Sequence, residues 1–280
     1  MKAIYDQVCT DICKSVTNKY STSFSAGIYL LHNSLRGPIY SIYGFVRLAD
    51  EIVDSFHDFD KGSLLTQFTQ DTWQAIEQGI SLNPVLNAFQ SAVNTYEIDH
   101  ELIRSFLHSM SMDLGHRDYE ESTFEEYIWG SAEVVGLMCL KVFVDGDQTL
   151  YDQLTPPAQA LGSAFQKVNF LRDLRADFEG LGRSYFPGVD LKNLTLDDKK
   201  QIEKSIAEDF SKAEEGIRKL PSKARLGVFT AYIYYLKLFK KIRSASAEQI
   251  LQKRIRIPNY RKISLVPRAY FQSTFRSLPS

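Results

Sequence analysis

The stretch AFQKVNFLRDLRADFEGLGRSYFP, residues 164–187, poses a question about charge. Asp173 and Asp177 stand four apart, Asn169 lies four before Asp173, and Gln166 three before Asn169. On a helix these spacings fall on one face, so the four side chains form a single polar stripe. Phe165, Val168, Phe170, Leu171 and Leu174 surround it, so the stripe runs through an apolar helix. Two like charges one turn apart cost a helix about 0.2–0.5 kcal/mol unless a counterion offsets them. A hard cation is such a counterion.

Working outward, LADEIVDS, residues 48–55, repeats the pattern. Asp50 and Asp54 are four apart, set among Ile42, Phe45, Leu48 and Val53, and Arg47 lies three before Asp50. A Mg²⁺ site typically uses one or two carboxylates plus substrate phosphates. Two Asp-x-x-x-Asp pairs therefore suit several Mg²⁺ ions around one diphosphate, with Arg47 as a phosphate ligand. The plainer reading pairs Arg47 with the first set and Arg172 and Arg175 with the second, as ordinary solvated ion pairs. The repetition, extended by Gln166 and Asn169, favours the metal. A cation on a diphosphate neutralises charge building on the leaving group. If that group leaves an allylic carbon, the carbocation must be kept from water. A helical interior rich in aromatic rings suits it, and the chain has 18 Phe and 15 Tyr. Aromatic residues are usually core, so this composition is permissive only.

The rest of the composition narrows the class. With 280 residues, 44% apolar and 24% charged, the chain reads as globular. A net charge of −1 argues against nucleic acid as a partner. Cys9, Cys13 and Cys139 suggest small buried hydrophobes and no disulfide framework. The opening MKAIYDQV lacks the apolar region of a signal peptide. The most apolar run, near Val134 to Val144, contains Lys141 and is too short to span a bilayer. The expected compartment is the cytoplasm.

Periodicity predicts helices near 3–19, 35–56, 61–79, 84–95, 99–113, 123–144, 156–178, 196–219 and 223–243, with a short one at 246–254. Asn83-Pro84, Thr155-Pro156-Pro157 and Pro221-Ser222 mark starts, and Thr195 followed by Asp197 and Asp198 marks an N-terminal cap. No polar linker divides the chain, so one all-α domain over 1–280 is expected, with a basic tail from about residue 250.

Five stretches together resemble the squalene and phytoene synthase family of head-to-head prenyl synthases, most closely bacterial phytoene synthases. They are YSTSFSAGIYLL (20–31), YGFVRLADEIVD (43–54), SMDLGHRDY (111–119), YIWGSAEVVGLM (127–138) and the 164–187 stretch. The resemblance implies an all-α isoprenoid-synthase fold around a central cavity, with Mg²⁺ (Mn²⁺ as a substitute) as cofactor. It implies prenyl diphosphate substrates and two half-reactions through a cyclopropylcarbinyl diphosphate. In phytoene synthases the product is phytoene, from two geranylgeranyl diphosphates, without NADPH; squalene synthases use that reductant. Residue by residue, it assigns Asp50, Asp54, Asn169, Asp173 and Asp177 to metal-bridged diphosphate binding. Ser21, Ser23, Tyr43 and Arg47 match diphosphate-side positions, with Arg172 assisting. Phe24 and Gln166 match the cavity lining. Arg183 and Tyr185 fall in a loop that closes over the site. Plainer readings stay open: Ser21 and Ser23 as helix caps, Phe24 and Tyr43 as core.

The chain departs from the family pattern at three positions. Glu51 replaces a common Asp but points off the Asp50–Asp54 face, so little effect is expected. Trp129 stands where Tyr is common and Glu133 where a small residue is common, which bears on chain-length selection. Glu133, if buried, needs a basic partner from another helix. The C-terminus is basic and reads as a solvated tail, as a further diphosphate contact through Arg254 or Arg256, or as an attraction to anionic lipid. Peripheral contact with the inner membrane surface and downstream carotenoid enzymes are the partners this implies. The tail carries no apolar anchor of the squalene synthase kind. The near alternative is a dehydrosqualene or squalene synthase acting on farnesyl diphosphate; a terpene cyclase and a non-catalytic helical scaffold are more distant ones.

Overall fold

The computed structural model describes residues 1–115, 121–176, 186, 187, 189, 195–252 and 254–258. Among them every regular element is helical: α1 (Lys2–Tyr20), α2 (Thr22–Tyr29), α3 (Asn33–Asp54), α4 (Lys61–Gln78), α5 (Pro84–Thr95), α6 (His100–Met112), α7 (Glu121–Ile128), α8 (Val134–Val144), α9 (Gln148–Ala176), α10 (Leu196–Lys219), α11 (Ser222–Arg243) and α12 (Ala247–Gln252). A π turn over Trp129–Glu133 joins α7 to α8.

Helix α3 sits at the centre because of its pattern. Leu35, Ile39, Ile42, Phe45, Ala49, Ile52 and Val53 recur at helical spacing and are all buried. Phe45 anchors this face, stacked on Phe89 with ring centroids 3.8 Å apart and tilted against Phe106 at 5.4 Å. A fully buried aromatic of this kind contributes about 1.5–3 kcal/mol. The opposite face carries Tyr43, Arg47, Asp50 and Asp54, none of them fully buried. Helix α9 is built the same way. Ala164, Val168, Leu171 and Leu174 are buried, while Phe165, Gln166, Asn169 and Asp173 stay partly open. Asp50 and Asp54 lie in the last turns of α3, where the backbone dipole already disfavours negative charge.

Two close helix crossings set the geometry. Gly227 of α11 meets Gly27 of α2 so tightly that an added Cβ would lie 2.6 Å from the Gly27 carbonyl oxygen. This contact brings Phe24 and Tyr235 together from elements some two hundred residues apart in sequence. Gly162 of α9 would place a Cβ 2.7 Å from the Ala132 oxygen, which seats the π turn on α9.

Some elements differ from the sequence reading. Helix α2 was not expected; Ser21 caps it, accepting a 3.1 Å hydrogen bond from the Phe24 amide. Helix α9 starts at Gln148, not at Pro156, with Pro156 and Pro157 inside it. Asp147 accepts a bond from the Leu150 amide and starts the helix. The Pro157 ring packs on Gly216, where a Cβ would come within 2.4 Å, so α10 accommodates the ring. The run Ser122–Val144 also exceeds the expected apolar length: it is long and apolar enough to cross a membrane by length and composition. Half of its most apolar window is buried, and α8 packs against α3, α6 and α9, as a core helix does.

Candidate active site

The α3 half of the site is built around Asp50. Its side chain retains 31% of its accessible surface. Burial pushes its pKa up from 3.8 to about 7; the Asp54 and Asp113 charges push the same way, and Arg47 opposes them. Arg47 stands 3.9 Å from Asp50, and its firm partner is Glu51, one turn on. Its guanidinium also lies over the Tyr20 ring at 4.3 Å. Glu51 thus orients Arg47, a contact the sequence reading did not assign to it. The Arg47 Nε is buried with no hydrogen-bond partner, an orphaned donor that an anion would satisfy.

The α9 half is differently balanced. Arg172 Nε lies 3.1 Å from each Asp173 oxygen and its Nη2 2.5 Å from Oδ2. Arg254, from the segment after α12, brings its Nε to 2.5 Å from Asp173 Oδ1. Burial pulls the Arg172 pKa down, but the hydrogen bonds and charge of Asp173 more than offset this and leave it above the usual arginine value. Asn169 donates to Gln166 Oε1 at 3.5 Å, and Gln166 donates to Ser131 of the π turn at 3.3 Å.

An aromatic cluster joins the halves. Phe24 lies 5.8 Å from Tyr43, 6.2 Å from Phe165 and 5.8 Å from Tyr235 between ring centroids. Phe165 and Tyr235 stack at 4.0 Å. The Tyr235 hydroxyl donates to Asn169 Oδ1 at 3.2 Å. Burial pushes Tyr43 up to about 12 and Tyr235 up to about 12, so both hydroxyls keep their protons at neutral pH. Tyr43 also shares a hydrogen bond with Ser21, which therefore both caps α2 and touches the site.

Of the residues singled out in the sequence, the structure gathers Ser21, Phe24, Tyr43, Arg47 and Asp50 on one side. It gathers Gln166, Asn169, Arg172 and Asp173 on the other. Asp54 ends α3, and Ser23 is half-buried in the first turn of α2. Asp177, Arg183 and Tyr185 lie outside the described residues. Among the described residues no three His, Cys, Asp or Glu side chains converge on one point as a closed metal cage. The donors still fit Mg²⁺. They are hard oxygens, the Asp50 charge is poorly compensated, and an orphaned Arg47 donor waits beside it. A cation of this kind takes few protein ligands and completes its shell with phosphate oxygens and water. Glu133 is half-buried, and burial pushes it from 4.5 to about 7, with Asp209 raising it further and Lys167 of α9 opposing.

Sequence reasoning missed Tyr235, Asp113 and the anchoring role of Glu51. Tyr235 sits in AYIYYLKLFKK, where Tyr232, Tyr234 and Tyr235 are equivalent by pattern. Asp113 ends α6, accepts a 2.8 Å bond from the Tyr127 hydroxyl, and lies in a stretch singled out only by resemblance.

Comparison with known proteins places the chain. The family pattern described as "Squalene/phytoene synthase" matches residues 17–261. A 15-cis-phytoene synthase of Synechococcus elongatus is 30% identical, covering 94% of this chain and 92% of its own length. Phytoene synthase 1 of Solanum lycopersicum, chloroplastic, is 27% identical, over 94% of this chain and 68% of its own. Among solved structures, a dehydrosqualene synthase in complex with ligand superposes with a TM-score of 0.83 at 22% identity, covering 96% of this chain and 98% of that one. A squalene synthase from Alicyclobacillus acidocaldarius gives 0.73 at 21%, over 86% and 95%. At these identities the structural likeness establishes the all-α fold.

Proposed function

The chain belongs to the squalene/phytoene synthase family of prenyltransferases, and from that premise we propose that it condenses two geranylgeranyl diphosphates head to head. The product is phytoene, formed through a cyclopropylcarbinyl diphosphate with release of diphosphate and without NADPH. The observation that carries this reading is the near-full-length likeness to phytoene synthases from a cyanobacterium and a plant. Prenyl diphosphates are the substrates the family implies.

In this reading Asp50, Asp54, Asn169, Asp173 and Asp177 would hold Mg²⁺, whose chemistry when bound would be to neutralise charge on a departing diphosphate. Arg47 offers its unpartnered Nε to the same anion, with Glu51 fixing its orientation. Tyr43 and Tyr235, protonated at neutral pH, present hydroxyls at the diphosphate end. Phe24, Phe165 and the Tyr235 ring exclude water and face the allylic cation with their π clouds. Tyr235 fixes the Asn169 amide by donating to its oxygen. Residues 1–280 act as one catalytic unit in the cytoplasm, in peripheral contact with the membrane that dissolves the product.

The test is a product assay: purified protein, Mg²⁺, and either geranylgeranyl or farnesyl diphosphate, without NADPH, with the hydrocarbon identified by mass. A C40 product from the C20 substrate supports phytoene synthase. A C30 product alone, or none until NADPH is added, transfers the chain to the dehydrosqualene or squalene branch.

A further inference from the structure

The segment Arg254–Pro258, after α12, has no regular secondary structure and is held at several points. Ile255 and Ile257, at alternate positions, are buried. Lys241 of α11 donates to the Arg256 carbonyl at 2.6 Å. Arg254 points the other way and takes both oxygens of Asp173, with Nε 2.5 Å from Oδ1 and Nη2 3.1 Å from Oδ2.

Arg172 holds the same two oxygens. A carboxylate gripped by two guanidinium groups leaves little room for a third cation at bonding distance. A divalent ion on Asp173 must therefore displace one of them. Arg172 is the neighbouring residue on the same helix, and its side chain is 20% exposed. Arg254 is 47% exposed and reaches Asp173 from 81 residues away. Arg254 is the partner that can leave.

We propose that Arg254 is a latch: its side chain occupies the Asp173 carboxylate and is released when a divalent cation takes that carboxylate. The inference rests on the reading of Asp173 as a metal ligand and adds a competitor for the same oxygens. Metal loading and release of the Arg254 side chain become one event. The α9 carboxylate keeps a partner until the cation arrives.

The test is Mn²⁺ binding to the full chain, followed by the paramagnetic resonance of free Mn²⁺, with and without inorganic diphosphate. Arg254→Gln should bind Mn²⁺ about two- to fivefold more tightly than the wild type without diphosphate, the range a part-exposed ion pair supports. Arg254→Lys, which keeps the charge and loses the fork, should shift affinity the same way by less, and it serves if Arg254→Gln fails to fold. Equal or weaker Mn²⁺ affinity in the folded variants overturns the latch while leaving the metal reading intact. No Mn²⁺ binding to the wild type even with diphosphate fails the metal reading, and the latch with it.

Discussion

The two aspartate helices carry the same Asp-x-x-x-Asp spacing but solve their electrostatics in opposite ways. On α3, Asp50 sits deep beside Asp54 and Asp113, and the nearby Arg47 is committed to Glu51. On α9, Asp173 is gripped by Arg172 and Arg254. One carboxylate is held under charge stress by its protein surroundings, and the other is compensated. A repeated motif therefore does not imply a repeated energetic state. The α3 half pays in stability for a site that welcomes a cation, and the α9 half must exchange a cation it already has.

The largest expected effect removes the shared chemistry. Asp50→Asn and Asp173→Asn should each lower turnover by at least about a hundredfold, the scale for losing one preorganised electrostatic contact to a leaving group. Steady-state assays at saturating Mg²⁺ check this, with circular dichroism confirming the fold. Full activity in either variant would end the metal-bridge assignment.

Next is pH. The Asp50 carboxyl is pushed from 3.8 to about 7 and Glu133 from 4.5 to about 7, so the folded state prefers both protonated. Between these limits the folded chain binds more protons than the unfolded one, and stability falls as pH rises. The benefit is fully present below about pH 4, is lost on approaching about pH 7, and changes little above that. After allowance for the partial exposure of Asp50, the metal-free protein should lose on the order of 1–3 kcal/mol across this window. Urea unfolding in chelator at several pH values reads the slope. A stability that rises through the window would refute the burial argument. Asp50→Asn should flatten the slope, whereas Asp173→Asn should leave the Asp50 contribution in place.

The smallest effect concerns the π turn. Trp129 is half-buried there and packs against the core, in the turn whose Ser131 accepts from Gln166. Trp129→Ala should change the ratio of C20 to C15 diphosphate turnover by about tenfold, since a few methylenes of pocket contact discriminate at that level. An unchanged ratio removes Trp129 from chain-length selection.

Much of this was legible in the sequence, because helical periodicity is local. The stripe Gln166, Asn169, Asp173 and the pair Asp50, Asp54 could be placed on helix faces by counting, and the N-terminal cap at Thr195 was visible in the sequence, where the structure shows a full capping box with Asp198. What could not be read depends on distant partners. Tyr235 meets Asn169 across 66 residues, and Arg254 meets Asp173 across 81. Tyr235 has no pattern that distinguishes it from Tyr232 and Tyr234, and Arg254 was singled out only together with Arg256, with diphosphate and not Asp173 as its expected contact. The start of α9 was misplaced because Pro156 and Pro157 resemble a helix start, and the glycine that accommodates the Pro157 ring, Gly216, is on α10. The Arg47–Glu51 pair was within local reach, since i,i+4 partners are readable by counting.

The most direct test of the contrast between the halves is a paired thermal melt of metal-free Asp50→Asn and Asp173→Asn at about pH 8, where Asp50 is ionised. Asp50→Asn removes a stressed charge and should melt above the wild type, by about 1–2 kcal/mol in stability after the discount for exposure. Asp173→Asn strips two guanidinium groups of their partner and should melt below it, by about 1–3 kcal/mol. Shifts of the same sign would contradict the account.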